Sequence, residues 1–111
     1  MKIKYLILAI ALVFGSLSAK AVKIPVIVKD STSPFWQIVL DGGCTAGAEL
    51  GIEVPLLGPT SEADIAGQIN VLEDAVAGGA DAVVIAATSF EGLGGPIDEA
   101  AKSVPVVVID S

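Results

Sequence analysis

The chain has no histidine, no arginine and a single cysteine, Cys44, among its 111 residues. Without histidine, neither a Ser-His-Asp triad nor a Cys-His pair can be assembled. The lack of histidine and of a second cysteine also excludes the common zinc sites and any internal disulfide. Cations are scarce, with six lysines against thirteen Asp and Glu and a formal net charge of −7. An acidic chain without guanidinium groups has no surface suited to tracking nucleic-acid phosphates. Aromatic residues make up only 5%, so the adjacent pair Phe35-Trp36 stands out. Apolar residues are abundant, at 53%, which for a chain long enough for one domain at most calls for a local cause.

The first 21 residues supply that cause. Lys2 and Lys4 give a positive start, residues 5–14 form an unbroken apolar run, and Gly15-Ser16 breaks it. Ala19-Lys20-Ala21 fits the small-x-small pattern of a signal-peptidase site. The run is too short to cross hydrocarbon stably, so residues 1–21 read as a secretory signal peptide rather than a retained anchor. No cysteine follows that would carry a lipid. Cleavage after Ala21 removes three of the six lysines and none of the acids, leaving an exported, acidic, soluble chain beginning at Val22.

Residues 22–111 read as alternating strands and helices. Residues 23–29 form a strand, and Ser33-Pro34 reads as an N-cap followed by proline in the first turn. Phe35, Val39, Ala46 and Leu50 mark one face of a helix closed by Gly51. Residues 52–57 form a second strand, and Pro55 places it at a sheet edge. A helix over 60–77 follows, with Ser61 and Asp64 at its start and Ile65, Ile69, Leu72 and Val76 as its stripe. Residues 82–86 are apolar throughout, as in a strand buried on both faces. A glycine-rich loop over 87–95 leads to a short helix with Pro96 near its start. Residues 104–109 form the last strand. This order predicts a doubly wound parallel α/β sheet with strand order 2-1-3-4 and a ligand crevice at the carboxyl ends of strands 1, 3 and 4. Such sheets usually have five or more strands, so this one reads as incomplete and the chain as an N-terminal fragment.

The loop after strand 1 gathers Lys29, Asp30, Ser31, Thr32, Ser33, Phe35 and Trp36 at that crevice. Aromatic faces suit the CH-rich faces of sugars, while charged groups and hydroxyls suit their OH groups. The same residues have a plainer reading, in which Phe35 belongs to the core stripe, Ser33 only caps and Lys29 is solvated. On the stripe argument Trp36 is the stronger ligand-stacking candidate of the two rings. Gly92-Leu93-Gly94-Gly95 has Ile97 where a dinucleotide fingerprint needs its last glycine. Asp30 and Asp110 share the crevice but have no further mark of a glycosidase pair. Cys44 lies mid-helix without a partner, and Gly42, Gly43 and Gly47 suggest close packing of that helix on the sheet.

The segments VIVKDSTSPFW, AELG, GPTSEADIAGQINVLEDAVAGGADAVVIA and VPVVVIDS resemble the periplasmic sugar-binding proteins of the ribose-binding type. The resemblance covers residues 22–111. It implies the N-terminal part of the first of two α/β lobes that close on a sugar, in an extracytoplasmic receptor for an ABC importer. In ribose-type members an Asn-Pro-Phe-Phe segment supplies a polar contact and two stacking rings; Ser33-Pro34-Phe35-Trp36 stands in its place. Arabinose-type members carry a ligand-contacting lysine where Lys29 stands. The ribose-type Asp-Arg after strand 4 corresponds to Asp110-Ser111. Loss of the five-donor guanidinium argues against ribose itself but not against a sugar.

The resemblance therefore implies a monosaccharide or small-polyol receptor with ligand residues Lys29, Asp30, Ser33, Phe35, Trp36, Asp110 and Ser111. No catalytic group, metal or cofactor is expected, and the partners are the sugar and a membrane permease. A same-fold receptor serving a chemotaxis or sensor-kinase system is the alternative. A secreted enzyme with its catalytic half elsewhere is weaker. A sugar-responsive repressor would need a helix-turn-helix where the signal peptide lies.

Overall fold

The computed structural model describes residues 20–110. The expected signal sequence therefore lies almost wholly outside the described residues, as does Ser111. Four short strands, β1 (Val26–Ile27), β2 (Leu56–Leu57), β3 (Val83–Ile85) and β4 (Val106–Val108), alternate with helices α1 (Pro34–Leu50), α2 (Ile65–Ala77) and α3 (Phe90–Ala101). The pairings are parallel and the sheet order is β2-β1-β3-β4, as expected. β2 is the edge strand beside which Pro55, with no N–H to donate, is accommodated. Backbone pairing extends past the strand ends: Ile24 N–H donates to the Glu53 carbonyl and Val28 N–H to the Leu57 carbonyl, each at 2.9 Å.

Alternation along the sheet divides the core between its two faces. Ile27, Val83 and Ile85 pack with Leu72 of α2 and Leu93 of α3. Val26, Val28 and Ala86 pack on the other face with Trp36 and Leu40 of α1. Each fully buried Leu or Ile side chain contributes about 1.5–3 kcal/mol.

The buried stripe of α1 lies one residue away from the expected one. Trp36, Leu40 and Gly47 are buried, whereas Phe35 and Leu50 are 60% and 70% exposed. A one-residue step turns a helix by about 100°, and small residues decide the rotation here. A Cβ on Gly43 would lie 3.2 Å from Val26 Cγ2, and one on Gly47 would lie 2.8 Å from Val54 Cγ2. Glycines thus let α1 settle on β1 and β2 with Trp36 facing inward. A Cβ on Gly42 would meet nothing within 4 Å, so that glycine is not needed for packing. Gly51 ends the helix in the left-handed region (φ 66°), as expected.

Two helix starts also differ from expectation. α2 begins at Ile65 rather than residue 60, because Asp64 is its cap and accepts from Gly67 N–H. Ser61 is spent on Ala63 N–H instead. α3 begins at Phe90, so the presumed loop over 90–95 is helical. Ser89 caps it by accepting from Gly92 N–H, and Leu93 and Ala100 anchor it to the core. Burial outweighs the low helix propensity of Gly92, Gly94 and Gly95, and Pro96 lies inside the helix rather than at its start.

Candidate sugar-binding site

Beyond Ile27 the chain passes through Lys29 and Asp30 and turns into α1 at the carboxyl end of the sheet, beside the point where strand order reverses. Short-range bonds shape this turn. Asp30 Oδ1 accepts from the Thr32 hydroxyl at 2.6 Å and from the Thr32 N–H at 2.8 Å. These two donors, the hydroxyl foremost, hold the Asp30 carboxyl below its ordinary range. The Ser31 N–H and hydroxyl both donate to the Pro59 carbonyl, at 2.8 and 3.1 Å, fastening the loop to the segment after β2. Ser33 occupies the N-cap of α1, yet its hydroxyl makes no capping bond. That hydroxyl is not committed to the helix.

Trp36 is only 4% exposed, and its indole N–H donates to Glu62 Oε1 at 2.8 Å. The Phe35 ring meets it edge to face, with centroids 4.9 Å apart and planes at 86°. Lys29 Nζ lies 5.6 Å from the centroid of the Trp36 ring and 3.0 Å from Asp110 Oδ2. An aromatic face and a carboxylate together restrain the ammonium. Asp110 has φ 47°, a left-handed conformation that aspartate enters more readily than most residues.

The structure thus brings Lys29, Phe35, Trp36 and Asp110 into one cluster, with Ser33 at the adjoining helix start. Asp30 lies in the same loop but is engaged by Thr32. Asp30 and Asp110 each have a separate partner, which removes the basis for pairing them as acid and base. The expected order of the rings is reversed. Trp36 belongs to the core and Phe35 presents the open face, because the α1 stripe runs through residue 36. Gly94 and Gly95 lie inside α3 and so form no phosphate-binding loop. Cys44 is exposed on α1. Among the described residues no group of three or more His, Cys, Asp or Glu could hold a metal ion.

Three site-shaping residues were missed in the sequence. Glu62 holds the indole; it stands in a polar run that reads as a helix start. Gln68 is fully buried and bonds the ends of β1 and β3; its signal was a polar side chain on the apolar stripe between Ile65 and Leu72. Thr88 has a buried hydroxyl with no hydrogen-bond partner among the described residues. It lines a groove of about 450 Å³ together with Lys29, Phe90, Leu93 and Val108.

The parallel α/β unit gathers a cation, a carboxylate and an open aromatic ring at the carboxyl ends of its strands, the place where sheets of this kind bind ligands. A model of the periplasmic binding protein domain matches residues 24–111, and the chain belongs to that family, whose members are extracytoplasmic. Its fold is that of a type I lobe of these proteins.

Solved structures agree with this assignment. The chain superimposes with a TM-score of 0.80 on a carbohydrate transporter solute binding protein from Agrobacterium radiobacter in complex with D-arabinose. The two are 54% identical over 85% of this chain and 33% of that one. AraP, an arabinose binding protein from Geobacillus stearothermophilus, gives a TM-score of 0.76 at 28% identity over 83% of this chain and 32% of its own. GanP, a glucose-galactose binding protein from the same species, gives 0.77 at 26% identity over 84% of this chain and 33% of its own. The chain spans about a third of the length of these relatives. Among the described residues no helix is long and apolar enough to cross a membrane.

Proposed function

We propose that residues 22–111 are the N-terminal part of the first lobe of an exported receptor that captures a neutral monosaccharide for an ABC importer without altering it. The carrying observation is the Lys29–Asp110 pair at 3.0 Å beside the Trp36 ring, against whose edge the exposed Phe35 ring packs. An ammonium donor, a carboxylate acceptor and an apolar face form the mixed lining that a polyol requires. Because Lys29 and Asp110 neutralise each other, the cluster favours an uncharged sugar over a sugar acid or phosphate. Phe35 supplies the stacking face, Ser33 and Ser111 add hydroxyls, and Asp30 contributes through the oxygen that Thr32 leaves free. The 54% identity to a D-arabinose-bound relative makes D-arabinose the first sugar to test.

Titration calorimetry of the intact receptor against D-arabinose, other pentoses and hexoses tests this reading. Saturable binding of one neutral sugar, abolished in Asp110→Ala, is expected; binding of none of them would overturn it. Export is tested by sequencing the N-terminus of secreted material. Val22 should come first, and an intact Met1 in the membrane fraction would refute cleavage.

A further inference from the structure

The junction of β1 and β3 holds a polar group that the sugar-binding reading does not use. Gln68 of α2 is completely buried beneath the crevice. Its carboxamide Nε2 donates to the Val28 carbonyl at 3.1 Å and to the Ala86 carbonyl at 2.8 Å. Its Oε1 accepts from the Thr88 N–H at 2.8 Å.

These partners follow the pattern of a parallel ladder, in which one residue donates to j−1 and accepts from j+1 on its neighbour. Val84 N–H donates to the Pro25 carbonyl and Ala86 N–H to the Ile27 carbonyl. The next rung in that series would join Thr88 N–H to the Lys29 carbonyl and Lys29 N–H to the Ala86 carbonyl. The Gln68 carboxamide takes both bonds instead, serving Ala86 and Thr88 as the peptide of Lys29 would. A side chain from α2 thereby ends the β1–β3 ladder one rung early.

We propose that Gln68 is a positioning residue for the sugar site. Building on the function proposed above, its carboxamide replaces the Lys29 rung, releases the Lys29 backbone from the sheet and parts the strand ends where the crevice opens. Lys29 can then meet Trp36 and Asp110 while the buried groups of Val28, Ala86 and Thr88 remain bonded. The Gln68 side chain itself does not touch ligand. It acts through Lys29, as a supporting group does when it fixes the geometry of a contacting one.

The test is a double-mutant cycle in the intact receptor, with D-arabinose as the probe. Gln68→Glu retains the acceptor for Thr88 but not the paired N–H donors; Gln68→Met retains only the shape. Circular dichroism selects the variants that fold, and calorimetry reads their affinity. In the folded variants affinity should fall at least tenfold. With Lys29→Met already present, the same Gln68 substitution should cost less than threefold, because its effect passes through Lys29. Equal losses in both backgrounds, or a folded Gln68 variant that binds as tightly as wild type, would overturn the proposal and leave the sugar site standing. If neither variant folds, Thr88 amide exchange in the unmodified receptor decides. Several-fold slowing on saturation with D-arabinose supports the proposal, and unchanged exchange overturns it. If wild type binds none of the tested sugars, the function reading fails, and the role of Gln68 with it.

Discussion

At the scale of single residues, the two adjacent aromatics have opposite tasks, and substitution separates them. Phe35 is 60% exposed and Trp36 is 4% exposed. Phe35→Ala should weaken sugar binding by roughly 1–3 kcal/mol, taking aromatic stacking on nucleobases as the guide, with the melting temperature nearly unchanged. Trp36→Ala should cost about 3–5 kcal/mol of stability, as large-to-small core substitutions do, and it also strands Glu62. Calorimetry and thermal melts on both variants check this; a Phe35→Ala variant that melts early while binding normally would contradict it. Asp30 gives a separate test by pH. Its carboxyl is held below the ordinary value of 3.8 by Thr32, so the turn gains stability above the unfolded-state pKa. That gain is lost as pH falls through the lower folded value. The Thr32 amide resonance should therefore titrate with a midpoint below 3.8, and Thr32→Val should move the Asp30 midpoint upward.

At the scale of elements, strand order and helix order were both legible, because apolar runs and Ser-Pro or Gly punctuation coincide with real boundaries. What misled were the face of α1 and the starts of α2 and α3. In α1 the apolar residues come as neighbours, Phe35-Trp36 and Val39-Leu40, so two stripes one residue apart are equally regular. Gly43 and Gly47 break the tie through close approach, which a hydrophobic pattern does not register. In α3 three glycines and a proline mask a helix that Ser89 starts and Leu93 anchors. Lys29 and Asp110 could be placed because both end strands, whereas Glu62 and Gln68 act through distant partners that spacing cannot reveal. The glycine argument predicts that Gly47→Ala destabilises the protein despite alanine's better helix propensity. Its Cβ would lie 2.8 Å from Val54 Cγ2 and 3.2 Å from the Ile52 carbonyl. Overpacking of this kind costs about 1–3 kcal/mol, against about 1 kcal/mol gained in propensity. Gly42→Ala, with open space around it, should be neutral or stabilising. Denaturant melts of the pair test the contrast, and equal effects at the two sites would show that propensity alone governs them.

At the scale of the whole molecule, the sheet is covered unevenly. α1 lies over β1 and β2, and α2 and α3 cover the opposite face, while β4 forms an edge with Val107 and Val108 still 55% and 43% exposed. Phe90, 89% exposed, lines the same groove as Val108. An apolar edge strand offers unpaired backbone and apolar side chains together, the combination that recruits another chain. A chain of this size also buries a smaller fraction of its surface than a larger domain, so it has little surplus stability to offset that exposure. Residues 22–111 expressed alone should therefore melt broadly, bind a hydrophobic dye before the transition, and associate increasingly with concentration. Val107→Lys, which adds a charge to the edge without removing a buried contact, should suppress association and leave helical content unchanged. Sedimentation velocity across a concentration series and dye titration of both forms provide the measurement. A sharp, concentration-independent melt of the unmodified chain without dye binding would show that the packing on both faces suffices and that the β4 edge needs no cover.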